Sequence, residues 1–458
     1  MTFAAERPNI VVIMADDLGW ADLGCTGSTF YETPHIDRLA REGLRFTTAY
    51  SACPVCSPTR AAAMTGKYPA RVHLTDYIPG ARRGRLNPAP YLHHLPLEES
   101  TIAEALRDGG YATALVGKWH LGDEGFWPQD QGFDPNVAGS GKGANKLFSP
   151  YTLPNLADGP EGEYLTDRLT DEALRYITTQ RERPFLLWLT HYDVHTPLVA
   201  KQELIDRFEK KAGKLPPAKS PRFRPEHERE DRRVQDHAVY AAKVASLDES
   251  VGRIVQKLDE LGLTEQTIVI FTSDNGGLST SEGSPTSNAP LRAGKGWLYE
   301  GGIRVPLIVR WPGVAKPAST CDVPVITNDL YPTLLAAADL PARPAQHCDG
   351  VSLAGLLTGK NAKLDREALY WHYPHYGNQG GSPGGAIREG DWKLIEFFED
   401  NHVELYNLAD DSGEQHDLAA EMQDRAAQLR EKLAAWRTSV DAQMPTANPD
   451  YVPGAKPQ

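Results

Sequence analysis

The length, composition and charge of this chain exclude several classes of protein. Its 458 residues exceed the roughly 250–300 residues at which a single core stops growing, so we expect one large domain and a smaller one. The hydrophobic fraction of 40% is ordinary for a globular enzyme, and no apolar run reaches the ~18 residues of a membrane span. The net charge of −13 argues against nucleic acid as a partner, because phosphate groups are bound by basic surfaces.

The first residues of the chain bear on the cellular compartment in which the protein is found. Residues 1–6 lack the basic region, the apolar stretch and the small-residue cleavage site of a signal peptide. We therefore expect a cytoplasmic protein if this is the full translated chain, and a periplasmic or secreted one if a leader has been trimmed.

Short apolar, β-branched runs alternate along the chain with helical patterns. The predicted strands are residues 9–14, 112–116, 185–189, 267–272 and 306–309. The predicted helices are residues 34–42, 101–108, 164–179, 236–261 and 330–338. This alternation is typical of an α/β fold, in which helices cover both faces of a buried sheet.

Polar residues follow the first four predicted strands. In chain order these are Asp16 and Asp17, Lys118 and His120, His191 and His195, and Asp274 and Asn275. Ligands of open α/β sheets bind at the carboxyl ends of the strands, so we expect all of these residues at one edge.

The two acidic pairs predict a metal site. Asp16 and Asp17, together with Asp274 and Asn275, offer only oxygen ligands, which favour Ca²⁺ or Mg²⁺ over zinc. An alternative for the first pair is that it caps the next helix. A zinc site at His191 and His195 is disfavoured, because their spacing converges on a metal only within a helix.

Cys56 begins a segment that turns from loop into helix. Pro58 fits a first helical turn, residues 61–64 favour helix, and Gly66 provides a stop. Unpaired N–H groups at the helix N-terminus favour a group that carries or attacks negative charge, and Arg60 projects from the same face. A nucleophile and a fixed cation therefore converge here.

Two other interpretations of Cys56 stay open at this point. The spacing Cys53-x-x-Cys56 is that of a redox motif, although one such pair is a weak signal, and Cys56 could also be a buried structural residue. The five cysteines in the chain allow one or two disulfide bonds at most and do not make a disulfide framework.

The segment Cys56-Ser57-Pro58-Thr59-Arg60 resembles the signature of type I sulfatases, in which the cysteine is oxidised to formylglycine. Residues 110–120, GYATALVGKWH, match the second signature of that family along their whole length. His195 before Thr-Pro, and Lys295 in the glycine-rich stretch 293–304, resemble two further segments. The resemblance covers most of residues 8–440.

The resemblance implies roles for these residues. It implies a formylglycine nucleophile made from Cys56 by a formylglycine-generating or equivalent maturation enzyme. It also implies a calcium ion, with magnesium as the alternative, held by Asp16, Asp17, Asp274, Asn275 and the modified Cys56. Arg60 is the fixed cation of the signature, Lys118 binds a sulfate oxygen, and His120 contacts the nucleophile. His195 helps to protonate the leaving alcohol, and Lys295 bridges the sulfate and the leaving oxygen.

The resemblance also implies an alkaline phosphatase-like fold with a mixed, mostly parallel sheet. From about residue 364 the pattern changes to alternating strands, including 386–397, and a helix at about 420–438. We therefore predict a catalytic domain, 1–363, and a C-terminal subdomain, 364–458, that consists of a small antiparallel sheet and a packing helix. Residues 200–233 are predicted to be a solvated insertion, the alternative being a basic lid over an anionic glycan.

The substrate prediction also depends on resemblance. Residues 25–31, 75–80 and 371–392 are similar to bacterial carbohydrate sulfatases related to N-acetylgalactosamine sulfatases and arylsulfatase A, which implies a sulfated galactose or N-acetylgalactosamine. Candidate substrate-binding residues at the pocket rim are Asp76, Tyr77, His372, His375 and Arg388. The alternatives are a phosphonate or phosphodiester hydrolase of the same superfamily and a non-catalytic sulfoglycan-binding protein. No pattern indicates an oligomeric state.

Overall fold

The strands and helices are defined by a computed structural model that describes residues 7–180, 183–217 and 221–457. The strands are β1 Asn9–Ala15, β2 Leu44–Tyr50, β3 Leu86–Asn87, β4 Ala112–Gly117, β5 Asn136–Val137, β6 Phe185–Thr190, β7 Phe223–Glu226, β8 Arg229–Arg232, β9 Thr267–Ser273, β10 Arg304–Arg310, β11 Ser319–Cys321, β12 Val325–Ile326, β13 Leu369–Tyr373, β14 Gly384–Glu389, β15 Trp392–Phe397, β16 Val403–Asn407 and β17 Thr446–Ala447. The helices are α1 Pro34–Glu42, α2 Cys56–Thr65, α3 Pro69–Val72, α4 Ile102–Asp108, α5 Leu165–Thr179, α6 Gln202–Ala212, α7 Ala238–Glu260, α8 Glu300–Ile303, α9 Leu330–Ala337, α10 Ala354–Leu357 and α11 Gln423–Ser439.

The main sheet is mixed and mostly parallel. Its strand order is β11-β2-β10-β9-β1-β6-β4-β5, with β12 also paired to β2. β10 pairs antiparallel with both of its neighbours, whereas the other pairs are parallel. All five predicted strands are present in this sheet. β2 was missed, because its partly exposed Arg45 and Thr47 interrupt the apolar run that marks a buried strand.

The carboxyl ends of four neighbouring strands coincide at one edge of the sheet. Met14 of β1 is in register with Thr190 of β6 and Thr272 of β9, and Gly117 of β4 is in register with the same Thr190. The residues that follow these strands are therefore brought together, as predicted.

Helices cover both faces of the sheet because side chains of each strand alternate between the faces. Val11 and Ile13 pack into a core with α5 and α7, whereas Ile10 and Val12 pack into a second core with α2, α4 and α9. The predicted helices are all present. α4 begins with a capping box, in which the Thr101 side chain accepts from the Glu104 backbone and the Glu104 carboxylate accepts from the Thr101 backbone.

The C-terminal part forms an antiparallel sheet in the order β13-β14-β15-β16, against which α11 packs. A third core joins this sheet to the main body and includes Tyr50, Trp297 and Trp371. At the same junction Lys393 forms buried ion pairs with Glu300 at 3.0 Å and Glu414 at 2.8 Å. The boundary between 363 and 364 stays a prediction.

The insertion at 200–233 contains regular structure. It begins with α6 and continues into the β7–β8 hairpin, whose His227 stacks on Trp297 at 5.3 Å between ring centroids. The insertion is therefore anchored to the body, and its residues 218–220 lie outside the described part. Across the described ranges, no helix combines the length and the apolar character that a bilayer crossing requires.

Candidate active site

Cys56 is the first residue of α2 and is only 3% exposed. Val55 before it is extended, and Gly66 ends the helix in the left-handed region at φ 68°. The Cys53 backbone N–H donates to Thr59 Oγ1 at 3.1 Å, and that hydroxyl donates to the Cys53 carbonyl at 3.0 Å. The loop is thereby folded onto the first turn of α2, which fixes Cys56 at the helix N-terminus.

His120 contacts Cys56 directly. Its Nδ1 atom lies 3.2 Å from Cys56 Sγ, and its Nε2 atom lies 2.7 Å from the Ile78 carbonyl oxygen. A carbonyl oxygen can only accept, so Nε2 carries the proton and Nδ1 of the neutral ring is an acceptor aimed at Cys56. Burial, assisted by the charge of Lys118, holds the pKa of His120 well below its usual value. The ring is therefore neutral at pH 7.

Three basic side chains pair with three carboxylates next to Cys56. These pairs, which we call the charged cluster, are Arg60 Nη2 with Asp274 Oδ2 at 2.7 Å, Lys118 Nζ with Asp16 Oδ2 at 2.7 Å, and Lys295 Nζ with Asp17 Oδ1 at 2.8 Å. All six side chains are buried. Burial of an ion is costly unless it is paired, and each of these ions has a partner of opposite charge.

The thiols of Cys53 and Cys56 are poorly suited to redox chemistry. Burial raises the pKa of Cys56 despite the opposing charges of Lys118 and Lys295, and burial raises that of Cys53 well above its usual value. Both cysteines are free, as are Cys25, Cys321 and Cys348. Thiol–disulfide exchange requires a thiolate, so the redox interpretation loses its chemical basis.

Oxygen atoms in the charged cluster are available to a cation. The Oδ1 atoms of Asp16 and Asn275 are buried and accept no hydrogen bond from the part of the chain that the structure describes. Asp16, Asp17 and His195 offer ligand atoms that lie within 4.8 Å of one another. Neither aspartate caps a helix, since α1 begins only at Pro34. Carboxylate and amide oxygens suit a hard divalent cation, so these residues fit such an ion.

Both aspartates of this pair are ionised at neutral pH. Burial raises the pKa of Asp16 and Asp17, but the surrounding positive charges, led by Lys118 for the first and Lys295 for the second, together outweigh it, and both pKa values lie below the usual range. Asn275 Nδ2 donates to Asp17 Oδ1 at 2.8 Å, which ties the ends of β1 and β9 together.

Unusual backbone geometry accompanies these residues. Asp17 and His120 have left-handed φ angles of 64° and 59°, which cost non-glycine residues about 1–3 kcal/mol and are frequent at functional sites. Gly117 has φ 107°, and a Cβ atom there would overlap the Thr190 carbonyl oxygen. That oxygen accepts from the Lys118 N–H at 2.8 Å, so glycine allows Lys118 to be held against β6.

The two histidines after β6 occupy different environments. His195 Nε2 lies 3.6 Å from Asp17 Oδ2, and its Nδ1 donates to the Thr196 carbonyl at 2.8 Å, so its ring borders the charged cluster. His191 Nε2 instead lies 2.9 Å from the Ser250 hydroxyl, inside the core. The two rings therefore do not share a metal site.

Of the five predicted substrate-binding residues, Tyr77 borders the cluster. It precedes Ile78, whose carbonyl accepts from His120, and it is partly exposed. Asp76 is buried beneath it, where its Oδ1 accepts from the Tyr77 N–H at 2.9 Å and from the Tyr373 hydroxyl at 3.1 Å. His375 is also buried, with Nε2 2.8 Å from Thr75 Oγ1. Asp76 therefore holds the backbone of Tyr77, and His375 holds Thr75, two residues before it.

The structure does not bring His372 and Arg388 to this site. The His372 ring is buried, and its Nε2 donates to the Gln443 carbonyl at 2.9 Å. The Arg388 guanidinium donates to Tyr50 and to the Gly390 carbonyl. Arg388 thereby links the two sheets, His372 is tied to the segment after α11, and a substrate-binding role for either residue stays a prediction.

Several residues that position the site were missed by sequence reasoning. Arg60 Nη1 donates to the Thr190 hydroxyl at 3.2 Å, and Lys243 Nζ forms a fully buried ion pair with Asp193 at 3.0 Å. The Asp193 carbonyl accepts from the Asp16 N–H at 3.0 Å. Two sequence signals could have identified this pair. One is a lysine among the apolar residues in the first half of α7, and the other is an aspartate shortly after β6.

Comparison with known families agrees with this geometry. Residues 8–340 match the family described as Sulfatase, and residues 293–439 match the family described as N-sulphoglucosamine sulphohydrolase, C-terminal. The two matches together extend from β1 to the end of α11.

Individual proteins that the chain resembles support the same family assignment. The chain is 34% identical to a sulfatase from Formosa agariphila, over 91% of this chain and 85% of that protein. It is 33% identical to N-acetylgalactosamine-6-sulfatase of Mus musculus, over 80% of this chain and 69% of the relative. Its fold is similar to the crystal structure of Ps i-CgsB in complex with k-i-k-neocarrahexaose, with a TM-score of 0.79, 30% identity, and coverage of 97% and 95% of the two chains. The chain therefore belongs to the sulfatase family and is a sulfuric ester hydrolase.

Proposed function

We propose that this enzyme hydrolyses a sulfate ester on a carbohydrate of the galactose or N-acetylgalactosamine type. The observation that carries the proposal is the charged cluster around Cys56, in which three cations surround a nucleophile position at a helix N-terminus. The sugar class is supported by the names of an N-acetylgalactosamine-6-sulfatase and of a structure bound to a neocarrahexaose.

In this proposal a divalent cation, Ca²⁺ or alternatively Mg²⁺, is held by Asp16, Asp17, Asp274 and Asn275, with the modified Cys56 as a further ligand. The unpartnered Oδ1 atoms of Asp16 and Asn275 support the assignment. The cation supplies positive charge beside the nucleophile. The paired side chains of the charged cluster carry three positive and three negative charges, so a bound cation leaves the pocket positive and suited to an anionic ester.

The second proposed group is a formylglycine formed from Cys56, which in its hydrated form would supply a hydroxyl oxygen as the nucleophile toward sulfur. Cys56 is 3% exposed at the base of the site, so a maturation enzyme has little access to it in the folded protein. We infer that a formylglycine-generating or equivalent enzyme acts on the chain before it folds.

The chain's own residues supply the remaining requirements of the reaction. Lys118 and Lys295 bind sulfate oxygens in this proposal, which is supported by their ammonium groups, each of which contacts one aspartate of the acidic pair. Arg60 holds Asp274 and the Lys118 carbonyl in place. His120 Nδ1 accepts a proton at the Cys56 position, and His195, at the open side of the cluster, donates a proton to the leaving alcohol.

The proposal is tested by comparing kcat/KM for a sulfated galactose or N-acetylgalactosamine, an aryl sulfate and an aryl phosphate diester, with Cys56→Ala as the control. We expect hydrolysis of both sulfate esters, a much lower rate on the diester, and loss of all turnover in Cys56→Ala. Preference for the diester would support a phosphodiesterase instead. Glycan binding by a protein that hydrolyses none of the three and whose Cys56 peptide has unchanged mass would support a non-catalytic binding protein.

A further inference from the structure

A polar group that the catalytic assignments do not use lies at the edge of the site. It consists of Glu282, Asn378 and Gln379, which we call the rim triad. Glu282 Oε1 accepts from Asn378 Nδ2 at 2.7 Å and from Gln379 Nε2 at 2.9 Å. Glu282 lies in the loop after β9, and the two amides lie in the glycine-rich loop between β13 and β14, so the triad joins the main body to the C-terminal part.

The rim triad adjoins the charged cluster on two sides. Glu282 Oε2 lies 3.4 Å from the hydroxyl of Thr196, which follows His195. Gln379 lies against Gly296, the neighbour of Lys295, because a Cβ atom on Gly296 would come within 2.6 Å of Gln379 Oε1. The triad therefore lies beside the segments that carry His195 and Lys295.

Hydrogen bonds to the backbone carbonyls of Gln379 and Asn378 hold the triad in place. The Gln379 carbonyl accepts from Thr280 Oγ1 at 2.9 Å and from Trp297 Nε1 at 3.2 Å. The Asn378 carbonyl accepts from Arg229 Nη2 at 3.0 Å, which comes from the β7–β8 hairpin of the insertion. Preorganised groups of this kind bind a ligand without a further ordering cost.

Two acceptor atoms of the triad can still accept hydrogen bonds. Gln379 is 3% exposed, yet its Oε1 has no hydrogen-bond partner among the described residues. Glu282 is only partly buried, and within the described ranges its Oε2 makes just the long contact with Thr196. Buried polar atoms are normally paired, so an unpartnered carbonyl beside the reacting site indicates that a ligand supplies the donor.

We propose that Glu282 and Gln379 bind the sugar that carries the scissile sulfate, by accepting hydrogen bonds from its hydroxyl or amide groups. This inference rests on the proposed function. The charge on Glu282 adds a selection rule, because a carboxylate repels a second anionic substituent on the same sugar. The enzyme therefore prefers a sugar unit that is neutral apart from the ester being cleaved over a disulfated unit or a uronate.

The selection rule is tested by the ratio of kcat/KM for a monosulfated galactose unit to that for the same unit with a second sulfate. In Glu282→Gln the shape is kept and the charge is lost, so we expect the ratio to fall by about 10-fold, equivalent to about 1.4 kcal/mol. Glu265→Gln is the matched control, since Glu265 is exposed at the opposite edge of the sheet, before β9. An unchanged ratio in Glu282→Gln would overturn the rule.

The binding role is tested separately from turnover. In a Cys56→Ala background we expect Gln379→Ala to raise the Kd of the monosulfated sugar by about 10-fold, which corresponds to loss of one or two hydrogen bonds. Equal Kd values with and without Gln379→Ala would refute the inference even if the enzyme is a sugar sulfatase. Absence of sulfate ester hydrolysis by the matured native enzyme would instead refute the proposed function, and the Kd comparison would still decide the inference.

Discussion

His120 Nδ1 lies 3.2 Å from Cys56 Sγ, while the opposite nitrogen of the same ring donates to the Ile78 carbonyl. One nitrogen is therefore committed to the fold, and the other is the only ring atom that can exchange a proton at the nucleophile position. The buried backbone contact fixes the tautomer that a general base requires.

We expect His120→Ala to lower kcat/KM for an aryl sulfate by roughly 100- to 10,000-fold, which is the range for loss of a general acid or base. The measurement is steady-state kinetics on protein whose Cys56 conversion has been checked with a carbonyl-specific reagent. Retention of metal binding in the variant would separate loss of proton transfer from loss of the site. A decrease of less than 10-fold would contradict the role assigned to His120.

Removal of the metal is expected to lower both stability and activity. A ligand that binds only the folded state at about 100 times its Kd stabilises the protein by about 2.7 kcal/mol. We therefore expect Ca²⁺ to raise the Tm, a chelator to reverse the change, and Asp17→Asn to abolish it. Asp322→Asn, at an exposed position, serves as the control. A calcium response in Asp17→Asn equal to that of the native protein would argue against this site.

The sequence predicted most of the site because its chemistry is encoded in short local segments. Cys56 and Arg60 lie in one turn of α2, and Lys118 and His120 directly follow β4, so motif and strand pattern together located them. Their convergence followed from the parallel strands, whose carboxyl ends meet at one edge.

The residues that could not be predicted are defined by tertiary contacts. The carbonyl of Ile78 carries no side-chain signal, and the rim triad is assembled from loops about one hundred residues apart. The contacts of His372 and Arg388 could not be predicted for a related reason. A polar residue type in a candidate segment does not reveal that a tyrosine hydroxyl or a backbone carbonyl already satisfies it.

Buried histidines are expected to lower stability in acid. Burial lowers the pKa of His372 to about 4. An unfolded histidine ionises near pH 6.5, so between pH 6.5 and about 4 the unfolded state binds a proton that the folded state does not. Relative to His372→Gln, the free energy of unfolding of the native protein should therefore fall by up to about 1.4 kcal/mol per pH unit as the pH decreases through this window. Urea denaturation at several pH values measures the difference.

A buried carboxyl should show the opposite dependence. Burial raises the pKa of Asp248 to about 7, although the backbone N–H groups of Ile36 and His35 oppose the shift. The folded state then retains a proton that the unfolded chain loses near pH 4, so stability relative to Asp248→Asn should fall as the pH rises from about 4 to about 7. Parallel pH profiles for Asp248→Asn and His372→Gln would contradict at least one of the two assignments.

The ion pair between Lys243 and Asp193 provides a test of how the fold positions the site. Both side chains are fully buried, and Lys243 Nζ also donates at 3.0 Å to the carbonyl of Pro197, two residues after His195. Lys243→Met leaves the Asp193 carboxylate buried without its cation, which typically costs about 3–5 kcal/mol. Since the Asp193 carbonyl holds the Asp16 N–H, we expect lower calcium affinity as well as lower stability.

A second substitution distinguishes the buried charge from lost packing. Asp193→Asn in the Lys243→Met background removes the unpaired charge while keeping an acceptor for Tyr164 and Thr166, so most of the lost stability should return. Lys257→Met, at a partly exposed position of the same helix, should change the free energy of unfolding by less than about 0.5 kcal/mol. If the double variant is as unstable as Lys243→Met alone, the cost arises from packing around the lysine stem, and the pair does not act through its charge.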